Sequence, residues 1–166
     1  MAKNKEYLKN TLELNPIAVN SHTGSDFYTL SQNMAFIKVA NELSNQYNIP
    51  IYHETHRGRF SFSLPKTIEY IEKNEDLYLT LDLSHWLVVH ESLLKNRQEL
   101  LDKIIKRSNH IHARVGFEEG PQVNDPSAPE WKNIVERHLD IWEAVIEKNL
   151  KEKNNVTITT EFGPPN

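Results

Sequence analysis

The sequence predicts an α/β protein built as a partial (β/α)8 TIM barrel, with parallel strands corresponding to about the third to the eighth of a complete barrel. Short apolar runs recur, and each ends in ionisable side chains, which is typical of buried parallel strands that deliver polar groups to one end of a barrel. The polar endings mostly lie about 30 residues apart, the length of one βα unit, with a longer step of about 50 before the last. The runs are PIAVNSHTG (16–24), IPIYHETHRG (49–58), LYLTLDLSHW (77–86), NHIHARVG (109–116) and VTITTEFGPP (156–165).

Amphipathic segments separate these runs. Apolar residues at steps of three and four predict helices over residues 5–14, 30–47, 65–73, 91–107 and 130–151. The strands are predicted at 17–20, from 49, at 77–83, 110–115 and 156–160, with a sixth short strand at 122–123 inside the long loop 116–129. The buried stripe of the last helix is predicted to comprise Trp131, Ile134, Val135, Leu139, Trp142, Val145 and Ile146.

The chain length fits one domain, residues 1–166, but falls short of a complete barrel. The chain has 166 residues, whereas a (β/α)8 barrel usually takes about 250. The expectation is therefore a truncated barrel that lacks the first two βα units and the helix after the last strand. Such a barrel exposes sheet edges, which predicts self-association and a homo-oligomer.

Composition excludes several classes of protein. The net charge of −4 disfavours a nucleic-acid partner, because such proteins usually present a basic face. The absence of cysteine excludes disulfides and thiolate zinc sites. No apolar run approaches the roughly 18 residues of a membrane span, and the N-terminus lacks a signal-peptide core. A cytoplasmic protein with no membrane partner is expected.

Four residues at the ends of four predicted strands form a candidate metal site: Glu54, Asp82, His112 and Glu161. Three carboxylates and one imidazole suit a single divalent cation such as Mn²⁺, Mg²⁺, Co²⁺ or Zn²⁺. The alternative is that the acidic residues merely cap the helices that follow. Convergence of four such residues on one barrel mouth favours the metal site.

Two further patterns surround this set. Asp82-x-x-His85 allows His85 to fold back over the mouth, although Asp82 could instead cap the next turn with His85 on the surface. His110, His112 and Arg114 alternate along one strand and therefore share a face.

The remaining histidines are assigned as follows. His22 ends the first run, where it is either a site residue or part of a turn. His56 and Arg57 lie past a strand end and could grip a hydroxylated or anionic substrate. His53 should point away from Glu54 and be structural, and His90 and His138 are predicted to lie on helix surfaces.

The ordered series SHTG, HETHRGR, LDLSHW, HIHARVG and TTEFGPP resembles the sugar phosphate isomerase/epimerase members of the xylose-isomerase-like TIM barrels, a superfamily that also includes the apurinic-site endonucleases. The resemblance covers about residues 16–165 and implies that Glu54, Asp82, His112 and Glu161 hold the metal. The family often has His-x-x-Asp where this chain has His112-Ala113-Arg114, so one expected acidic residue is missing.

The resemblance implies an isomerase or epimerase of a sugar or sugar-like substrate that works through an enediolate-type intermediate. Glu54 and Glu161 would then be the catalytic proton carriers. The substrate-binding residues would be His22, Arg57, His85, Trp86, His110 and Arg114. The alternatives are a phosphodiesterase of the apurinic-site endonuclease type, with two or three metal ions, and an inactive truncated remnant.

Overall fold

A computed structural model describes residues 2–163 of the chain. The strands are β1 (Val19–Ser21), β2 (Ile51–Glu54), β3 (Leu79–Leu81), β4 (Ser108–Ala113) and β5 (Thr157–Thr160). The helices are α1 (Ala2–Leu12), α2 (Leu30–Tyr47), α3 (Leu64–Ile71), α4 (Leu83–His90), α5 (Gln98–Ile105) and α6 (Lys132–Lys151). Short 3₁₀ helices at Lys95–Arg97 and Pro129–Trp131 precede α5 and α6.

The five strands form one parallel sheet in the order β1-β2-β3-β4-β5. The sheet is strongly curled, because the side chains of Asn20 on β1 and His112 on β4 approach to 3.4 Å, whereas strands three positions apart in a flat sheet are about 14 Å apart. The prediction of an α/β protein with a curled parallel sheet is confirmed as a half-barrel. Its assignment to the complete TIM-barrel fold stays a prediction.

The outer face of the sheet carries the hydrophobic core. Alternate strand residues such as Val19, Ile51 and Leu81 are buried beneath the helices, and the residues between them point to the inner face. Gly24 lies in the loop after β1 with a φ of +63°, and a Cβ there would lie 2.1 Å from Oδ1 of Asn33. Asn33 in turn bonds both the amide and the carbonyl of Ser25, so this loop is fixed beside the mouth.

The predicted helix over 91–107 forms only in its second half, as α5, and its first turns are not helical. Helix α4 starts directly after β3, because the Asp82 side chain accepts a hydrogen bond from the Ser84 amide and so caps it. Glu91 and Leu94 both have positive φ, which ends α4 and separates it from α5. The same cap explains why β3 is shorter than the predicted 77–83 strand.

The predicted sixth strand at 122–123 is also absent from the described residues. Val123 is buried and donates one backbone hydrogen bond to Val115 at 2.9 Å, but no ladder forms. Nearby, Phe117 and Gly120 make an isolated bridge. The segment therefore folds as a loop that closes against the end of β4.

Helix α6 buries a face that matches the predicted one only in part: Val145 is buried as predicted, and Trp142 and Ile146 pack partly buried against the core. Its buried residues are Arg137, His138, Ile141, Val145 and Asn149, whereas Leu139 is exposed. The placement of His138 on the surface was wrong, because its ring accepts a hydrogen bond from the Gly116 amide and contacts the Ile134 carbonyl at 2.9 Å. His90 likewise has a structural contact, accepting from the Leu64 amide at the start of α3.

Within residues 2–163, no helix combines the length and apolar character needed to cross a lipid bilayer.

Candidate metal centre

The four predicted metal ligands meet at the carboxyl ends of the strands. The His112 Nδ1 atom lies 3.5 Å from Oε2 of Glu54 and 3.2 Å from Oε1 of Glu161. Glu54 ends β2 and His112 lies on β4, and such next-but-one strands are about 10 Å apart when a sheet is flat. The curl of the sheet therefore brings these side chains into contact.

Three overlapping groups in the described residues have ligand atoms within 4.8 Å of one another. Asp82, His112 and Glu161 form one group, and Glu54, Asp82 and His85 form a second that shares Asp82. The third group is His22, Glu54 and His56. Together the three groups contain all four predicted ligands and extend the cluster toward the loop after β2.

Glu54 is held at the centre of the cluster by several donors. Its Oε2 atom accepts from Asn20 at 2.5 Å and lies 2.9 Å from Nε2 of His22. Burial by itself would raise the pKa of Glu54, but the hydrogen bonds from His22 and Asn20, with the nearby His112, lower that pKa to about 2. Glu54 is therefore a fixed negative charge at neutral pH.

Asp82 both caps a helix and faces the mouth. Its Oδ1 atom accepts from the amide of Ser84 at 3.0 Å and from its hydroxyl at 2.5 Å. Its Oδ2 atom accepts from Nη2 of Arg114 at 2.5 Å. Burial raises the pKa of Asp82 to about 6 even though Arg114 and Ser84 oppose the rise. The two alternatives for Asp82, cap or site residue, are therefore compatible.

His85 is buried beside Asp82 rather than lying on the surface. Arg114 lies 2.8 Å from Nε2 of His85, and because a guanidinium can only donate, Nε2 must be the accepting nitrogen. Burial, with the nearby His56 and Arg114, lowers the pKa of His85 to about 3. His85 is thus neutral, with its proton on Nδ1.

Three atoms of the cluster are buried without a hydrogen-bond partner in the described part of the chain: Nδ1 of His85, Nδ1 of His112 and Oε2 of Glu161. Such atoms are costly unless something else satisfies them. A cation would satisfy Nδ1 of His112 and Oε2 of Glu161, whereas the Nδ1–H group of His85 needs an acceptor such as a substrate hydroxyl. The donor set, carboxylate oxygens and imidazole nitrogens without sulfur, fits a hard or borderline divalent cation.

Of the other predicted substrate-binding residues, His22 and Arg57 lie at the mouth or on the loop beside it, whereas Trp86 lies in the core. His22 is half-exposed at the mouth, and Arg57 is exposed on the loop after β2. The positions of both are compatible with substrate contact. Trp86 does not line the mouth, because it is fully buried in the core with its indole N–H bonded to the Ser61 carbonyl.

His110 shares the inner face with His112, but lies deeper in the half-barrel. Its ring nitrogens contact the Thr157 hydroxyl at 2.7 Å and the Thr159 hydroxyl at 3.2 Å. Both nitrogens are therefore engaged in joining β4 to β5, which disfavours a substrate-binding role.

Sequence reasoning missed two site residues, Asn20 and Ser84. Asn20 lies two positions before His22, so strand alternation places both on the inner face, and this signal could have identified it. Ser84 bonds Asp82 and also accepts from Nε of Arg114 at 3.1 Å. The sequence signal for Ser84 is weaker, because Asp-x-Ser is common at helix starts.

Comparisons of the chain with protein-family models, with curated proteins and with solved structures find no match. The family that the sequence motifs resemble therefore stays a prediction, and the chemistry of the cluster has to be argued from its own residues.

Proposed function

We propose that the protein is a divalent-metal-dependent isomerase or epimerase of a sugar or sugar-like substrate. The observation that supports this most is the convergence of Glu54, Asp82, His112 and Glu161, from four strands, on one partly open mouth. A bound divalent cation would stabilise the negative charge that develops on substrate oxygens during proton transfer beside a carbonyl.

The two glutamates differ in their suitability for moving protons. Glu161 is about one-third exposed and borders the mouth, whereas Glu54 is buried among three donors. Glu161 is therefore the better candidate for taking a proton from a substrate carbon, with Glu54 as the second carboxylate. Arg114, His85 and His22 present N–H groups that could orient substrate hydroxyls.

The proposal is tested by two measurements on the wild-type protein. Calorimetric titration with Mn²⁺ should show one ion bound per chain, and the loaded protein should incorporate solvent deuterium beside the carbonyl of at least one sugar in a panel of pentoses, hexoses and their phosphates. Asp82→Asn and His112→Gln should abolish Mn²⁺ binding. Glu161→Gln should lower deuterium incorporation by about 10²- to 10⁴-fold.

Glu136→Gln is a suitable control, because Glu136 is exposed on α6 and pairs only with Lys132 at 3.9 Å in the described residues. This variant should behave as wild type in both measurements. Folded protein that binds no Mn²⁺ would contradict the proposal and favour a remnant without activity.

A phosphodiesterase acting on abasic DNA is the second candidate. The three overlapping ligand groups, with His22 and His56 on one side, offer more positions than one ion needs, and phosphodiester cleavage commonly uses two metal ions about 3.5–4 Å apart. Two or three bound ions per chain, together with cleavage of abasic DNA, would favour this candidate over the isomerase.

A further inference from the structure

Both edges of the half-barrel sheet are unpaired in the described residues: β1 pairs only with β2, and β5 pairs only with β4. The edge strands, VNS and TITT, contain no charged residue and no proline. Natural proteins usually protect exposed edges with such residues, because an open edge pairs readily with another strand. Each of the two edges is therefore free to pair with a further strand.

The outer surface next to β5 is apolar and uncovered. An open groove there, about 640 Å³ in volume, lies between α6 and β5. Leu139, Leu150 and Ile158 line the groove and are each more than half exposed. Trp142 and Ile146 also line the groove, although both are partly buried against the core. The exposed Leu139 and Leu150 explain why the hydrophobic pattern of α6 extends beyond its buried face. In a βα barrel, this surface is covered by the helix that precedes the next strand.

At the opposite edge of the sheet, the helix that precedes the open strand β1 is α1. The surface of this part of the chain carries the exposed apolar side chains of Tyr7, Leu14 and Ile17. Helix α1 has three lysines and one glutamate, whereas the groove beside α6 has Glu143 and Glu147 at its border. Glu147 already pairs with Lys151 at 3.2 Å, so Glu143 is the acidic group left at this border for the lysines of α1. The two surfaces therefore match in apolar character, with Glu143 adding a complementary charge.

We propose that a second copy of this chain completes the barrel. In this arrangement β1 and α1 of each copy dock against β5 and α6 of the other, about a two-fold axis that runs along the barrel. The same contact, between the β1 edge of one copy and the β5 edge of the other, is made twice. Because each copy curls through about half a turn, the two copies close into a barrel without a free edge. The second copy also encloses the open side of the candidate metal centre.

The inference goes beyond the proposed function and does not depend on it, because its test measures mass and not activity. Sedimentation equilibrium of the metal-free protein over roughly a hundredfold range of concentration should give a dimer. Leu150→Glu in the groove and Tyr7→Glu on α1 should each weaken dimerisation at least tenfold. Both side chains are mostly exposed in the single chain, so circular dichroism should show an unchanged fold.

Phe27→Glu is the matched control, since Phe27 is a large, exposed apolar residue that belongs to neither surface. It should dimerise as wild type. A mixture of Leu150→Glu and Tyr7→Glu proteins should form heterodimers more readily than either variant forms homodimers, because the heterodimer retains one contact with no substitution.

A wild-type protein that stays monomeric over this concentration range would overturn the proposal. An open polymer would overturn the closed geometry. Leu150→Glu protein that dimerises as strongly as the Phe27→Glu control would show that the groove is not the contact.

Discussion

Arg114 holds the position of a cation in the cluster. It donates to Asp82 at 2.5 Å, lies 3.5 Å from Glu161, and contacts His85. A divalent cation bound by the same carboxylates would have to displace the guanidinium from Asp82. Arg114 therefore balances the charge of Asp82 in the metal-free protein and, by competing for the same carboxylate, lowers the affinity of the site for metal.

Arg114→Met should lower the free energy of unfolding of the metal-free protein by roughly 2–3 kcal/mol, because it leaves Asp82 buried without its partner. Proton uptake by Asp82 limits the loss. Added Mn²⁺ should stabilise the variant more than wild type, since the competing cation is gone. Urea unfolding with and without Mn²⁺ measures both effects.

Arg57→Met is the matched control for that comparison, because it removes one positive charge from the exposed side of the same mouth. Equal Mn²⁺ stabilisation of the two variants would show that net charge, rather than the contact between Arg114 and Asp82, governs metal affinity.

His138 gives the fold a dependence on pH away from the candidate site. Burial lowers the pKa of His138 from 6.5 to about 4, and its neutral ring accepts from the Gly116 amide. The unfolded chain therefore takes up a proton before the folded one does. The contribution of neutral His138 to the free energy of unfolding is complete above about pH 6.5 and falls as the pH drops. By pH 4, roughly 3 kcal/mol of it is lost.

His138→Gln should flatten the dependence of unfolding free energy on pH between 6.5 and 4. Burial also lowers the pKa of His53 to about 4. The difference in slope between His138→Gln and wild type therefore isolates the contribution of His138. Urea unfolding at a series of pH values measures the slope. An unchanged slope would show that His138 does not titrate differently in the folded and unfolded states.

At the scale of single elements, the start of α4 determines the layout of the site. Asp82 ends β3 and caps α4 within the same turn, so one carboxylate oxygen is fixed by the helix and the other points into the mouth. The close packing of Gly116 against Ser84, which bonds that carboxylate, extends this arrangement to the end of β4.

Gly116→Ala should lower the free energy of unfolding by roughly 1–3 kcal/mol. A Cβ at Gly116 would lie 2.6 Å from Cβ of Ser84 and 2.8 Å from the carbonyl oxygen of Pro121. Displacement of Ser84 should also weaken Mn²⁺ binding through Asp82. Chemical unfolding and Mn²⁺ titration measure the two effects.

Gly163→Ala is the control for this substitution, because in residues 2–163, chain neighbours apart, no atom lies within 4 Å of a Cβ built at Gly163. Similar losses for both alanine variants would indicate that backbone flexibility, rather than crowding at Gly116, is responsible.

At the scale of the whole molecule, the half-barrel separates an apolar outer layer from a polar inner face. The larger core cluster lies between the sheet and helices α2 to α6, and the smaller one packs α1 and the other side of α2 on β1 and β2. In the described part of the chain, helices cover only the outer layer, and both sheet edges are unpaired. The proposed pairing of two copies would cover these edges and raise stability with concentration.

Much of this fold could be predicted from the sequence. Helix α2 begins and ends at the predicted residues, and each predicted run contains or adjoins a strand. These features depend on patterns of period two or of three to four residues, which are local. The alternation that places His110 and His112 on one face is of the same kind.

The remaining features depend on the tertiary structure. Burial of Trp86 and His138, the break between α4 and α5, and the engagement of His110 by two threonines are set by the neighbours that packing supplies. Local pattern cannot distinguish an outward helix face from one that is covered by a distant loop.

The sequence by itself determined the βα order and the position of an acidic residue or histidine at the end of each strand run. Only the tertiary structure decided which of these groups share a site. The physical reason is that contacts such as that between Asn20 and His112, 92 residues apart, depend on the curl of the sheet. That curl results from the packing of all its strands and helices together and from no single segment.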